Sequence, residues 1–283
     1  MRIDSHQHYW KVERGDYFWM SPQNAILYRD YLPCDLLPHL ERHGIEKTVL
    51  VQAAQTVDET DFLLDLAAEN SSIGGVVGWL DMESPTFPKQ FAQYRKHTKF
   101  IGIRPMLQDL PDDEWILRPK VLESLRTIAE ADFAFDFVTY SRHLPFVLRA
   151  LDLVPGLRAV MDHISKPSIR THTLEPWKSL LAEIAQHENV YCKLSGIVTE
   201  ADHVGWSVDD LRPYVEHAWN CFGVDRVMFG SDWPVCLQAG TYDRVIAVLN
   251  EILAPNLDPN TEEKIFGVNA WRFYNLAAAV LLR

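Results

Sequence analysis

With 283 residues, 47% hydrophobic and 23% charged, the chain has an ordinary globular composition and the length of one α/β barrel, which takes about 250 residues. Its 27 basic and 39 acidic residues leave a net charge of −12, which repels phosphate backbones and anionic lipid; neither nucleic acid nor membrane is an expected partner. No apolar run approaches the ~18 residues of a membrane span, and the Leu276–Leu282 tail is far too short. Met1–Ile3 leads directly into Asp4-Ser5-His6 without a basic and apolar leader, and Cys34, Cys192, Cys221 and Cys236 form no CxxC pair. Both features predict a cytoplasmic protein with reduced thiols.

In chain order, eight short β-branched or apolar runs alternate with helical stretches. The predicted strands are Arg2–His6, Thr48–Ala54, Gly75–Asp81, Lys99–Pro105, Phe133–Thr139, Arg158–His163, Asn189–Ser195 and Arg226–Asp232. Between them, Phe62, Leu63, Leu66 and Ala67 make one apolar stripe. Leu144, Val147, Leu148 and Leu151 follow the i, i+3, i+4, i+7 rule up to Pro155-Gly156. Val215, Ala218 and Trp219 mark a further helix before Gly223, and Pro176 suits the first turn of a helix through Ile184. Strand–helix alternation implies a parallel sheet. The turn after the first strand reads His-Gln-His-Tyr-Trp rather than GxGxxG, which argues against a doubly wound dinucleotide fold. The pattern predicts a single (β/α)8 TIM barrel over residues 1–283. Lys11–Pro33, long and rich in Tyr and Trp, is the expected active-site loop.

Catalytic groups of such barrels sit at the carboxyl ends of the strands. Strand one ends in His6-Gln7-His8, whose i, i+2 imidazoles project to the same side and can grip a divalent cation or hold one oxygen. Strand eight ends in Gly230-Ser231-Asp232-Trp233-Pro234, where small residues allow close approach and Asp232 can take a proton from water or ligate a metal. Strand six ends in Asp162-His163. Adjacent strand residues face opposite ways, so unless the strand has ended before them only one of the pair should point inward, and His163 is the choice. Arg104 is a candidate for substrate contact or for a buried ion pair with Asp136 or Asp81; Gln52, Trp79, Lys193 and Ser195 are further mouth residues. Trp10, Trp79 and Trp233 are candidates for an apolar wall against a sugar ring. His143 could reach the site from a loop, and Lys166 follows His163 closely.

Taken together, DSHQHYW (4–10), VGWLDM (77–82), GIRPMLQD (102–109), FDFVTYSRHLP (135–145), MDHISKP (161–167), CKLSG (192–196) and MFGSDWPV (228–235) resemble the amidohydrolase superfamily. The resemblance is to its amidohydrolase-2 branch, in the group of sugar lactonases and pyrone-dicarboxylate lactonases. It implies a barrel that opens a sugar lactone, such as L-fucono-1,5-lactone or L-rhamnono-1,4-lactone, with Asp232 activating water beside His6, His8 and His163. Arg104, Trp10, Gln52, Trp79, Lys166 and Trp233 are the substrate-binding candidates. Many members carry a metal-bridging lysine on strand four or a histidine ligand on strand five; the corresponding stretches here carry Arg104 and Asp136. At most one divalent ion, Zn2+ first, is therefore expected on His6, His8 and Asp232, with or without need for it in activity. Two other classes remain open: a zinc-dependent decarboxylase of the same branch, and a non-catalytic sugar-binding barrel.

Overall fold

The computed structural model describes residues 1–276; all but the first residue of the Leu276–Leu282 tail lies outside them. Eight parallel strands form one sheet in sequence order: β1 (Arg2–Gln7), β2 (Ile45–Val51), β3 (Ile73–Gly78), β4 (Phe100–Ile103), β5 (Ala134–Phe137), β6 (Ala159–Met161), β7 (Val190–Leu194) and β8 (Val227–Phe229). Each strand is followed by a helix on the outside: α1 (Pro33–His43), α2 (Val57–Glu69), α3 (Phe87–Tyr94), α4 (Pro119–Glu130), α5 (Leu144–Leu153), α6 (Trp177–Ile184), α7 (Val208–Phe222) and α8 (Tyr242–Leu253). The sheet closes between β8 and β1. Gln7 pairs with Trp233 in parallel, His8 N–H donates to the Trp233 carbonyl at 2.7 Å, and Asp232 N–H donates to the His6 carbonyl at 2.8 Å. The eight-stranded barrel expected from alternation is thus the fold observed, with each strand overlapping its predicted run and β2 and β3 beginning earlier than predicted. Pro176 stands one residue before α6 rather than inside its first turn. No helix among the described residues is long and apolar enough to cross a membrane.

Period-two alternation divides the core into two layers. Leu50 points outward into the large cluster beneath the helices, while its neighbours Val49 and Val51 point into the barrel. The inner cluster includes Ile3, Val77, Ile101, Val160 and Met228, and it is capped by Ala270, Phe273, Tyr274 and Leu276. Ala270 and Phe273 come from a short final helix, α10 (Asn269–Phe273), which follows α9 (Pro259–Glu263). This apolar plug fills the amino-terminal end of the barrel. It leaves the carboxyl ends of the strands to carry polar side chains.

Candidate active site

Each site residue is aimed by its position at a strand end. At the end of β1, His6 and His8, the latter just past the strand, share one side, and their Nε2 atoms face each other at 3.2 Å. His8 Nδ1 lies 2.7 Å from the Val51 carbonyl, an acceptor only, so Nδ1 carries the proton and Nε2 presents a lone pair to the site. Beyond β8 the chain turns sharply, with Asp232 at φ 56°. Such a left-handed conformation costs a non-glycine residue about 1–3 kcal/mol and persists only where its surroundings enforce it. The turn is held by Asp4, which accepts from the Ser231 amide (2.9 Å), the His6 amide (3.1 Å) and the Tyr242 hydroxyl (3.1 Å). Gly230 is required here, since a Cβ would fall 2.7 Å from His6 Cβ.

The carboxylate so presented lies among three imidazoles. Asp232 Oδ1 is 3.3 Å from His8 Nε2 and 3.8 Å from both His6 Nε2 and His163 Nε2. Burial alone would raise its pKa. The neighbouring His163, His8 and Lys166 outweigh it and hold Asp232 below the usual carboxylate range. Burial pushes His6 and His163 well below the ordinary imidazole value and lowers His8 as well, despite neighbouring carboxylates. Near neutral pH the site is an ionised aspartate among neutral imidazoles.

Strand β6 stops at Met161, earlier than predicted, and this corrects the expectation that Asp162 faces away. Residues 163–166 all adopt positive φ, so the chain coils tightly and delivers both Asp162 and His163 inward. His163 Nδ1 pairs with Ser195 Oγ at 2.9 Å. Gly196 lets the ring approach, because a Cβ there would lie 2.5 Å from His163 Nδ1. Asp162 is the partner of Arg104 (Nη1–Oδ2 3.1 Å), not Asp136 or Asp81. Asp136 instead pairs with Lys193 at 2.6 Å, and Asp81 is exposed.

Above these groups opens a cavity of about 290 Å³. His8, His163, Asp232, Arg104 and Lys166 line its base. Trp19, Met20, Leu27, Met106, Val138 and Val235 supply apolar surface, and Ser21, Asn24, Gln108 and Gln238 supply polar groups. His6, fully buried, does not line it, and neither do four of the substrate-binding candidates. Gln52 lies fully buried behind Arg104, donating to its carbonyl (2.7 Å) and accepting from its Nη2. Trp10 and Trp233 are buried in an aromatic cluster with Tyr31, and Trp79 is tied through its backbone to the Thr60 hydroxyl. His143 turns to Asp113 (3.1 Å) rather than to the cavity. The aromatic wall comes from Trp19, in the loop expected to cover the site; its indole N–H donates to the Ala53 carbonyl at 2.7 Å. Asn24 ties the same loop to Gln238 across the mouth at 2.8 Å. Asp162, Trp19, Asn24 and Gln238 escaped sequence reasoning. The only signals were the aromatic loop and the placement of Gln238 just past Asp232.

Two donor groups could hold a divalent ion: His6, His8 and Asp232, and His6, Asp162 and His163, each with its donor atoms within 4.8 Å of one another. Nitrogen ligands about 2.0–2.1 Å from one tetrahedral ion stand about 3.3 Å apart. The His6–His8 spacing of 3.2 Å and the His8–Asp232 spacing of 3.3 Å fit that requirement, while His6–Asp232 at 3.8 Å is wider and would have to close on an ion.

The amidohydrolase family model matches residues 3–276. The chain is 41% identical over 280 residues to an L-fucono-1,5-lactonase of Burkholderia ambifaria, covering 97% of this chain and 96% of that protein. It is 36% identical to an L-fucono-1,5-lactonase of Burkholderia multivorans, covering 98% and 96%. A crystal structure of a Burkholderia multivorans amidohydrolase with bound zinc superposes with a TM-score of 0.93 at 34% identity, covering 97% of this chain and 99% of that one. A match of this extent, on a barrel whose strand ends carry this histidine and aspartate set, settles the family: the chain belongs to the amidohydrolases.

Proposed function

We propose that the protein is a lactonase that opens a neutral sugar lactone to its aldonic acid, with L-fucono-1,5-lactone the first substrate to test and L-rhamnono-1,4-lactone the second. The observation that carries this reading is the ionised Asp232 held among three neutral imidazoles at the base of a small cavity. Two curated relatives at 36–41% identity act on L-fucono-1,5-lactone by name, which supports the substrate class.

In this reading a water sits against Asp232 Oδ1 at the base of the cavity. Asp232 takes its proton as the oxygen adds to the lactone carbonyl. Arg104 and His163 face the developing oxyanion, with His6 buried behind them; each well-aimed donor contributes about 3–4 kcal/mol. Collapse breaks the bond between the acyl carbon and the ring oxygen, and the Asp232 carboxyl returns its proton to that oxygen. The acid product then ionises, so each turnover releases one proton to solvent. A divalent ion, zinc first, fits on His6, His8 and Asp232 and would polarise the carbonyl. We read the compartment as the reducing cytoplasm, in line with four unpaired cysteines.

The charge of the cavity weighs against a decarboxylase, which needs a cation free to hold the substrate carboxylate. Among the described residues lining the cavity, Arg104 is bound to Asp162, and Lys166 stands 3.9 Å from Glu200. A panel of aldonolactones and aromatic lactones, followed by acid release with and without chelator, tests the proposal. Acid release from the neutral sugar lactones is expected. None from any lactone would favour a non-catalytic sugar-binding barrel, and carbon dioxide release from an aromatic acid, abolished by chelator, would favour the decarboxylase.

A further inference from the structure

Beneath His6 lies a buried lysine that the proposed mechanism leaves unused. Lys193, on β7, is fully buried, and its ammonium meets three acceptors: Asp136 Oδ2 at 2.6 Å, Asp162 Oδ1 at 2.9 Å and His6 Nδ1 at 3.1 Å. Tyr274 donates to the same Asp136 oxygen at 2.7 Å and closes the network from the barrel floor.

His6 is thereby placed between two side chains that can only donate. Lys193 faces Nδ1, and Arg104 Nη1 faces Nε2 at 3.3 Å. A neutral imidazole has one bare nitrogen, so it can accept from only one of them. Burial decides between the two. Arg104 borders the cavity, where water or substrate can take its hydrogen, whereas Lys193 has no solvent to turn to. A buried donor without an acceptor costs about 1–3 kcal/mol. The alternative partner for Nδ1, Asp162 Oδ1, stands farther away, at 3.3 Å, and already meets the Lys193 ammonium at 2.9 Å.

We propose that Lys193 is a positioning residue that fixes His6 as the Nε2–H tautomer, which turns that N–H toward the bare His8 Nε2 at 3.2 Å and leaves Arg104 Nη1 to the cavity. A corollary concerns metal. An ion on His6 needs a bare Nε2, which requires the proton to move to Nδ1 and the Nδ1–H to turn to Asp162. Lys193 therefore opposes metal loading of the site, and Asp162 favours it. The inference rests on the catalytic role proposed for this site, but its test reads a tautomer and a metal affinity and is independent of lactone turnover.

Nitrogen-15 NMR of histidine-labelled protein, with the His6 signal identified by its loss in a His6→Asn variant, reports the tautomer directly. Metal-free wild type is expected to show a protonated Nε2 and a bare Nδ1 on His6; a protonated Nδ1 there overturns the proposal. In Lys193→Met the proton is expected on Nδ1, with Zn2+ held at least about tenfold tighter, the scale on which second-sphere changes move metal affinity. Unchanged or weaker Zn2+ binding by a folded Lys193→Met protein also overturns it. Should that variant not fold, the wild-type spectrum decides alone.

Discussion

The two ends of the barrel obey opposite rules. At the amino-terminal end, Ile3, Val77, Val160 and Met228 meet Phe273 and Tyr274 in an apolar plug. Here side chains follow the period-two pattern of their strands. At the carboxyl end, Asp232 and residues 163–166 hold left-handed backbone, three imidazoles crowd one carboxylate, and charged groups are buried in pairs. The floor is where burial stabilises the fold, and the mouth is where conformational strain and desolvated charge are tolerated because they position chemistry. Substitutions in the two regions should therefore separate activity from stability.

The largest effect is expected at the mouth. Asp232→Asn keeps the shape of the turn and removes the base, so turnover should fall by about 10²–10⁴-fold while the melting temperature holds or rises. Turnover assays beside thermal melts check this, and near-normal turnover would end the assignment. Phe273→Ala is its mirror image. The lost contacts and cavity should cost about 3–5 kcal/mol of stability in chemical denaturation, with turnover per folded molecule unchanged.

Gly196→Ala probes where strain and site meet. A Cβ at this residue, with φ 60°, would press on His163. We expect a stability loss of about 1–2 kcal/mol together with a drop in turnover. A loss of stability alone would mean that His163 is free to shift without consequence. Gln238→Ala should have the smallest effect. It unties Asn24 and the Trp19 loop from the rim, raising KM several-fold, about 1 kcal/mol, with kcat little changed; steady-state kinetics separate the two.

The same contrast explains what was legible in the sequence. Strands and floor could be read because burial imposes a period, and one residue type suits one face. His6, His8 and Asp232 could be read because they sit at the ends of periodic runs. The coil at residues 163–166 could not, since four consecutive non-glycine residues at positive φ leave no compositional trace; this is why Asp162 was expected to face outward. Trp10, Trp79 and Trp233 were plausible walls by type alone. Which tryptophan meets the cavity depends on how the 11–33 loop folds back, and that is set by contacts such as Trp19 to Ala53 and Asn24 to Gln238. Gln52 serves Arg104 rather than the cavity because the pairing runs through backbone carbonyls, which the sequence does not display.

The most direct test of an ionised aspartate among neutral imidazoles is the pH dependence of kcat/KM on a neutral sugar lactone. In the proposed mechanism Asp232 acts as the carboxylate, and its pKa lies below the ordinary value of 3.8, so activity should be lost only as pH falls through that lowered pKa. Burial also lowers all three histidine pKa values, so none of them should add a limb near the usual ~6.5. The account predicts acid release from an aldonolactone with activity that holds as pH falls through about 6.5. A limb centred near about pH 6.5, or no acid release at any pH, would contradict it.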